Sequence, residues 1–124
     1  MASIAPVKTF GGSKGDGSTY VVTWTPITNA DQCIAWSAPE YSDRSVHVSG
    51  TFGGTSIAVQ GSNNAGVSFA SLNDPTSTVI AITTEAIKAI LENTDQIKPV
   101  RSGGDGTTSI TVSMLFHLSN PLRQ

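Results

Sequence analysis

The stretch VHVSGTFGGTSIAVQGSNN, residues 46–64, decides the fold class. Val46 and Val48 fall on one side of an extended chain, His47 and Ser49 on the other. After a pair of glycines, Ile57 and Val59 repeat the pattern against Ser56, Ala58 and Gln60. Alternation with a period of two, carried by β-branched residues, marks half-buried strands. Gly53-Gly54 supplies the positive φ of a tight turn, so the reading is a β-hairpin over roughly 45–52 and 55–60. Gly61-Ser62-Asn63-Asn64 stops the second strand, with short polar side chains able to cap their own turn.

Similar signals lie on both sides. TYVVTWT, residues 19–25, places Tyr20, Val22 and Trp24 on one face and ends at Pro26. Residues 109–118 place Ile110, Val112, Met114, Phe116 and Leu118 in phase, the pattern of a central strand. Shorter strands are expected over 67–72, with Val67 and Phe69 on one face, and over 97–101, where Pro99 implies an edge. Residues 79–82 form a brief apolar run, a strand or the entry to a helix. One helix is expected, over 84–93: Thr83 or Thr84 can cap it, Glu85 suits its first turn, and Ile87, Ile90 and Leu91 form a stripe at i, i+3, i+4, with Lys88 and Glu92 paired on the wet face. Ser102-Gly103-Gly104-Asp105-Gly106 is a strong turn, and Asn120-Pro121 ends the fold.

Together these predict an all-β protein: an antiparallel, jelly-roll-like β-sandwich of about seven strands with one short helix. Residues 19–124 form the sandwich. Residues 1–18 form an N-terminal arm and a glycine-rich loop, able to order on a neighbouring subunit. The predicted core is Val22, Val48, Ile57, Val59, Phe69, Ile90, Val112, Met114 and Phe116.

At 124 residues the chain suits one domain. Charged residues are 13%, against about 25% in an average soluble domain, and Ser, Thr, Asn and Gly stand in their place. The net charge of −2 offers no basic field for nucleic acid or for an anionic membrane. The N-terminus lacks the apolar core of a signal peptide, and no apolar run reaches the roughly 20 residues of a membrane span. Synthesis in a cytoplasm is expected. Cys33 is the only cysteine, so no intrachain disulfide can form and a thiolate metal site is not expected.

No metalloprotease, nucleophile-elbow or phosphate-loop motif occurs. His47 and His117 lie out of phase with the apolar faces, as solvated or contact residues do. Asp16 and Asp105 are lone turn aspartates, short of the ligand set of a calcium loop. No catalytic residue, metal or cofactor is expected, and the chain does not read as an enzyme. The Ser/Thr-rich outer faces suit contact with a sugar or another protein.

Five segments carry a resemblance: Ser49–Thr55 (SGTFGGT), Gln60–Asn64 (QGSNN), Ser71–Asp74 (SLND), Ile97–Arg101 (IKPVR) and Gly103–Thr108 (GGDGTT). Over Gly50 to Val112, about half the chain, it resembles the head decoration, or capsid cement, proteins of bacteriophages. The resemblance implies a jelly-roll-like sandwich on an icosahedral capsid, clamping neighbouring major capsid protein subunits, with no active site. The partners implied are the major capsid protein and further copies of the chain, as a dimer or trimer, and the location is the virion surface. The expected contacts are Ile4, Pro6, Val7 and Phe10 of the arm, Trp36 and Tyr41, and the single charges Arg44 and Arg101. Two other readings fit the same composition. A tail or receptor-binding module would show an exposed aromatic platform centred on Trp36 or Tyr41. A tail-tube or connector protein would join neighbours through a long loop.

Overall fold

A computed structural model describes residues 3–10, 19–38 and 41–118, with Phe10 described by its backbone alone. The glycine-rich loop at 11–18, Pro39 and the Asn120-Pro121 ending lie outside the described residues. The elements are β1 (Ser3–Ile4), β2 (Val7–Phe10), β3 (Thr19–Ile27), β4 (Gln32–Cys33), β5 (Trp36–Ser37), β6 (Asp43–Thr51), β7 (Thr55–Ser62), β8 (Ala70–Ser71), β9 (Ala81–Ile82), β10 (Ala86–Ile90), β11 (Gln96–Gly103) and β12 (Ser109–His117). Two antiparallel five-stranded sheets share one core, a β-sandwich arrangement. The first runs β10-β6-β12-β3-β2; the second runs β5-β11-β7-β8, with β9 also on β7. A parallel pair, β1 on β4, lies apart.

Burial follows the period-two reading. Val46 and Val48 are buried beside Met114 and Val112, which face Val22 and Trp24 on the far side. Ile57 and Val59 do the same for the second sheet, and Ile97 joins them from β11. β12 is central as expected, between β6 and β3. Of its in-phase residues only Leu118 is exposed. β3 passes Pro26 and ends at Ile27, with a bulge that sets Thr25 and Pro26 against the single residue Thr111 of β12. Eight of the nine predicted core residues are buried; Phe69 is half-buried.

Several readings change. β11, expected at an edge, lies between β5 and β7, and of the strand expected over 67–72 only Ala70–Ser71 forms one. Residues 46–64 do not form a hairpin. β6 pairs with β12 and β10, and β7 pairs with β11, β8 and β9, so Gly53-Gly54 is a corner between sheets. A second corner, 103–108, carries β11 into β12, and the two corners lock together. The Thr108 hydroxyl donates to the Phe52 carbonyl at 2.9 Å and meets the Thr55 hydroxyl at 3.1 Å. Gly53 takes a φ of 57°, and a Cβ there would drive into the Asp105 side chain.

The predicted helix is strand β10. Its residues Ala86 to Ile90 pair one-to-one with Val48 to Arg44, and burial alternates along it: Ile90 faces in, Ile87 faces out. Hydrogen bonding along the open edge of β6 outweighs a weak helical stripe. Glu92 binds Asn73 rather than Lys88, accepting from its backbone N–H and its side-chain amide, both at 2.7 Å. No helix occurs among the described residues.

Residues 3–10 are built into the sandwich. β2 pairs with β3 as the edge of the first sheet, and Ile4 packs against the core. This segment therefore occupies the chain's own sheet edge rather than standing free as an arm.

Candidate functional site

The outer face of the first sheet is assembled from the out-of-phase residues of β10, β6, β12, β3 and β2. Side chains directly opposite one another on paired strands share a face. One row across it reads Ile87, His47, Ser113, Thr23, Val7; the next reads Ala89, Ser45, Leu115, Val21, Thr9. Hydroxyl pairs tie neighbouring strands: Thr25 to Thr111 at 2.7 Å and Thr23 to Ser113 at 3.3 Å. Ile87 is 67% exposed, Val7 62% and Leu115 40%. Between them lies a shallow depression of about 240 Å³, floored by Val21, Ser113 and Leu115 and flanked by His47 and Ile87.

Among the described residues, the charged groups on this face are two exposed His–carboxylate pairs, His47 with Glu85 at 3.1 Å and His117 with Asp43 at 3.4 Å. The face is thus a broad, nearly flat platform of hydroxyl and aliphatic groups. It can make hydrogen-bonded and apolar contact over a wide area.

Of the expected contact residues with described side chains, only Val7 stands on this platform. Trp36 and Tyr41 are half-buried, edge-on to Tyr20 with ring centroids 6.1 and 4.7 Å away, and the Trp36 indole N–H donates to the Tyr20 hydroxyl at 3.0 Å. They close one end of the core and form no exposed aromatic platform. Arg44 is buried, so it is not a surface contact; its guanidinium binds carbonyls of its own chain. Pro6 is half-buried beside β2, and Phe10 stands opposite Tyr20 in register. Arg101 is on the second sheet, donating to the Asp31 carbonyl at 3.2 Å and the Gly103 carbonyl at 2.7 Å. The residues that make the platform were visible in the sequence as the out-of-phase positions of its strands, chiefly Thr23, His47, Ser113 and Leu115.

Beside Arg101, Cys33 lines a depression of about 260 Å³. Burial, with help from the Asp31 charge, pushes its thiol up to about 12, so it stays protonated at neutral pH. Among the described residues no three His, Cys, Asp or Glu side chains gather as a metal site would require, and no helix is long and apolar enough to cross a membrane.

Four carboxyls are held below their ordinary values by hydrogen bonds, three of them inside turns. The Thr107 hydroxyl and N–H act on Asp105; the Thr76 hydroxyl leads at Asp74; the Thr28 N–H and then its hydroxyl act on Asp31. Burial alone would raise Glu92, but the two bonds from Asn73 outweigh it. On acidification the unfolded chain therefore takes up protons first, near 3.8 for Asp and 4.5 for Glu. These four carboxyls should leave stability unchanged between about pH 5 and 8 and lower it progressively as pH drops through and below 4. Urea midpoints measured between neutral pH and about pH 2.5 test this. A midpoint flat down to about pH 3 would show that these turns carry no linked stability.

Compared with protein-family models, with curated proteins and with solved structures, the chain has no match.

Proposed function

We propose that the chain is a non-enzymatic structural protein of a phage virion, of the head-decoration type. It binds across neighbouring major capsid protein subunits at the capsid surface, as a homo-oligomer of two or three copies. The observation that carries this reading is the platform of the first sheet: five strands wide, rich in Ser and Thr, and, among the described residues, charged only at its two His–carboxylate pairs. Contact surfaces of this kind draw on area and hydrogen bonding, and their centres are depleted in charge. Low charge also limits repulsion where many copies crowd on one shell. The jelly-roll reading belongs here too, supported by a path that changes sheet at both glycine corners.

The test is a charge placed at the centre of the platform. Ser113→Arg points out of the sheet, so the variant should melt within a few degrees of the parent and fail to decorate particles. Thr23→Arg, next to it in register, should act alike. Particles lacking the protein should lose their genome at lower temperature than decorated ones. Full occupancy by Ser113→Arg would remove the platform from the proposal. Undecorated particles as heat-resistant as decorated ones would remove cementing altogether.

A further inference from the structure

At one end of the second sheet, the chain leaving β7 and the segment between β10 and β11 enclose a groove of about 680 Å³. This lies within the roughly 300–1,000 Å³ usual for small-molecule sites. Its lining includes Phe69, Asn63, Asn64, Ser71, Glu92 and Asn93, and two of the segments that carry the family resemblance, QGSNN and SLND, supply much of it. We propose that this groove binds a neutral saccharide. The proposal stands independently of the capsid reading.

Three observations lead there. The first is the chemistry of the lining. It presents one aromatic ring, three asparagine side chains and several hydroxyls, with Glu92 as the only charged residue. A sugar offers a C–H face for the ring and adjacent hydroxyls for amide and carboxylate groups. Without Lys or Arg in the lining, a phosphate or a carboxylated sugar would find no countercharge. Lys98 lies close, its ammonium 4.2 Å from the Phe69 centroid, but is not part of the lining.

The second observation is that the walls are already set. The Ser62 hydroxyl donates to Asn64 Oδ1 at 2.8 Å and accepts from the Gly66 N–H at 3.0 Å. Asn64 in turn accepts from the Ser68 N–H at 3.1 Å and donates to the Ser68 hydroxyl at 2.9 Å. Asn63 Oδ1 accepts from the Asp95 N–H at 2.8 Å, and Asn73 fixes both Glu92 oxygens. A groove held this way needs little ordering when a ligand enters. The loop also contains Ala65 at a φ of 61°, a left-handed conformation that costs free energy in a non-glycine residue and concentrates at ligand clamps.

The third observation is what the network leaves over. The Asn93 amide, the side-chain NH2 of Asn63 and the Ser71 hydroxyl make no hydrogen bond to other described residues, and all three residues are exposed at the groove. Each Glu92 oxygen accepts one bond and has room for another. Donors and acceptors thus stand on the same rim as the ring.

The experiment is a titration of the full-length, isotope-labelled protein, followed by NMR of its backbone and asparagine side-chain amides. The probes are glucose, galactose, N-acetylglucosamine and maltose, with N-acetylneuraminic acid as the charged comparison. Saturable shifts confined to residues 61–72 and 92–94 are expected with at least one neutral sugar, and a much weaker response to the acid. Phe69→Ala should weaken that binding roughly tenfold through loss of ring contact. Should Phe69→Ala fail to fold, Asn93→Ala, at an exposed and unbonded position, takes its place and should also weaken binding. No saturable shift with any neutral probe overturns the proposal, as does binding that folded Phe69→Ala or Asn93→Ala leaves unchanged.

Discussion

Phe116→Ala is expected to cost about 3–5 kcal/mol of stability. Phe116 is fully buried in the middle of the first sheet, in register with Arg44 on β6 and Tyr20 on β3. Its ring stacks on Tyr20 at 5.3 Å, and the Arg44 guanidinium lies 5.5 Å from its centroid. Alanine would leave a cavity that two β-sheet neighbours, fixed by their ladders, cannot collapse to fill. The loss should appear as a lower urea midpoint with an unchanged slope. A loss below about 1 kcal/mol would mean that the inner and outer faces of β12 are reversed.

Arg44→Met should cost about as much, again 3–5 kcal/mol, for a different reason. Arg44 Nε donates to the Tyr41 carbonyl, and Nη2 donates to the carbonyls of Ala38 and Thr94, all at 2.7 Å. Burial lowers its hold on the proton, offset in part by Tyr20 and Asp95. Methionine keeps much of the length but leaves three carbonyls facing apolar atoms, and those acceptors cannot be substituted away. Arg44→Lys retains the charge without the planar fork and should recover only part of the loss. A fully stable Arg44→Met would show that water reaches those carbonyls. Since Arg44 covers Phe116, the double variant should lose less than the sum of the two single losses.

Arg44 also illustrates how far the sequence could be read. It stands in phase with Val46 and Val48, yet a lone charge reads as a surface contact, and the carbonyls that receive it come from the irregular chain at Ala38 and Tyr41 and from the distant Thr94. β3, β6, β7 and β12 were legible because each repeats its alternation long enough to fix a face. The corner at Gly53-Gly54 was not, because two alternating strands around a glycine pair satisfy a hairpin and an inter-sheet corner equally. The choice is made by β11 and β12, tens of residues away. β10 was misread for a related reason: five residues cannot separate a helical stripe from an edge strand until the neighbouring edge is known. The platform was half legible. Its residues could be found by phase, but their neighbours across the sheet depend on register. Periodicity places Phe69 in the core, whereas in the fold it lines the groove, half-buried.

The central position of β12 has a consequence for how the protein is made. Ribosomes deliver roughly 5–20 residues per second, and a domain ordinarily begins folding from its N-terminal part. Here the first sheet cannot close in that order, because β3 and β6 touch each other only through β12. Both must wait, for seconds, with Val22, Trp24, Val46 and Val48 uncovered, until Ser109–His117 has been synthesised. Low charge gives those waiting strands little mutual repulsion. A nascent chain stalled before Ser109 should therefore recruit chaperones and resist refolding, whereas one extended past His117 should turn protease-resistant in a single step.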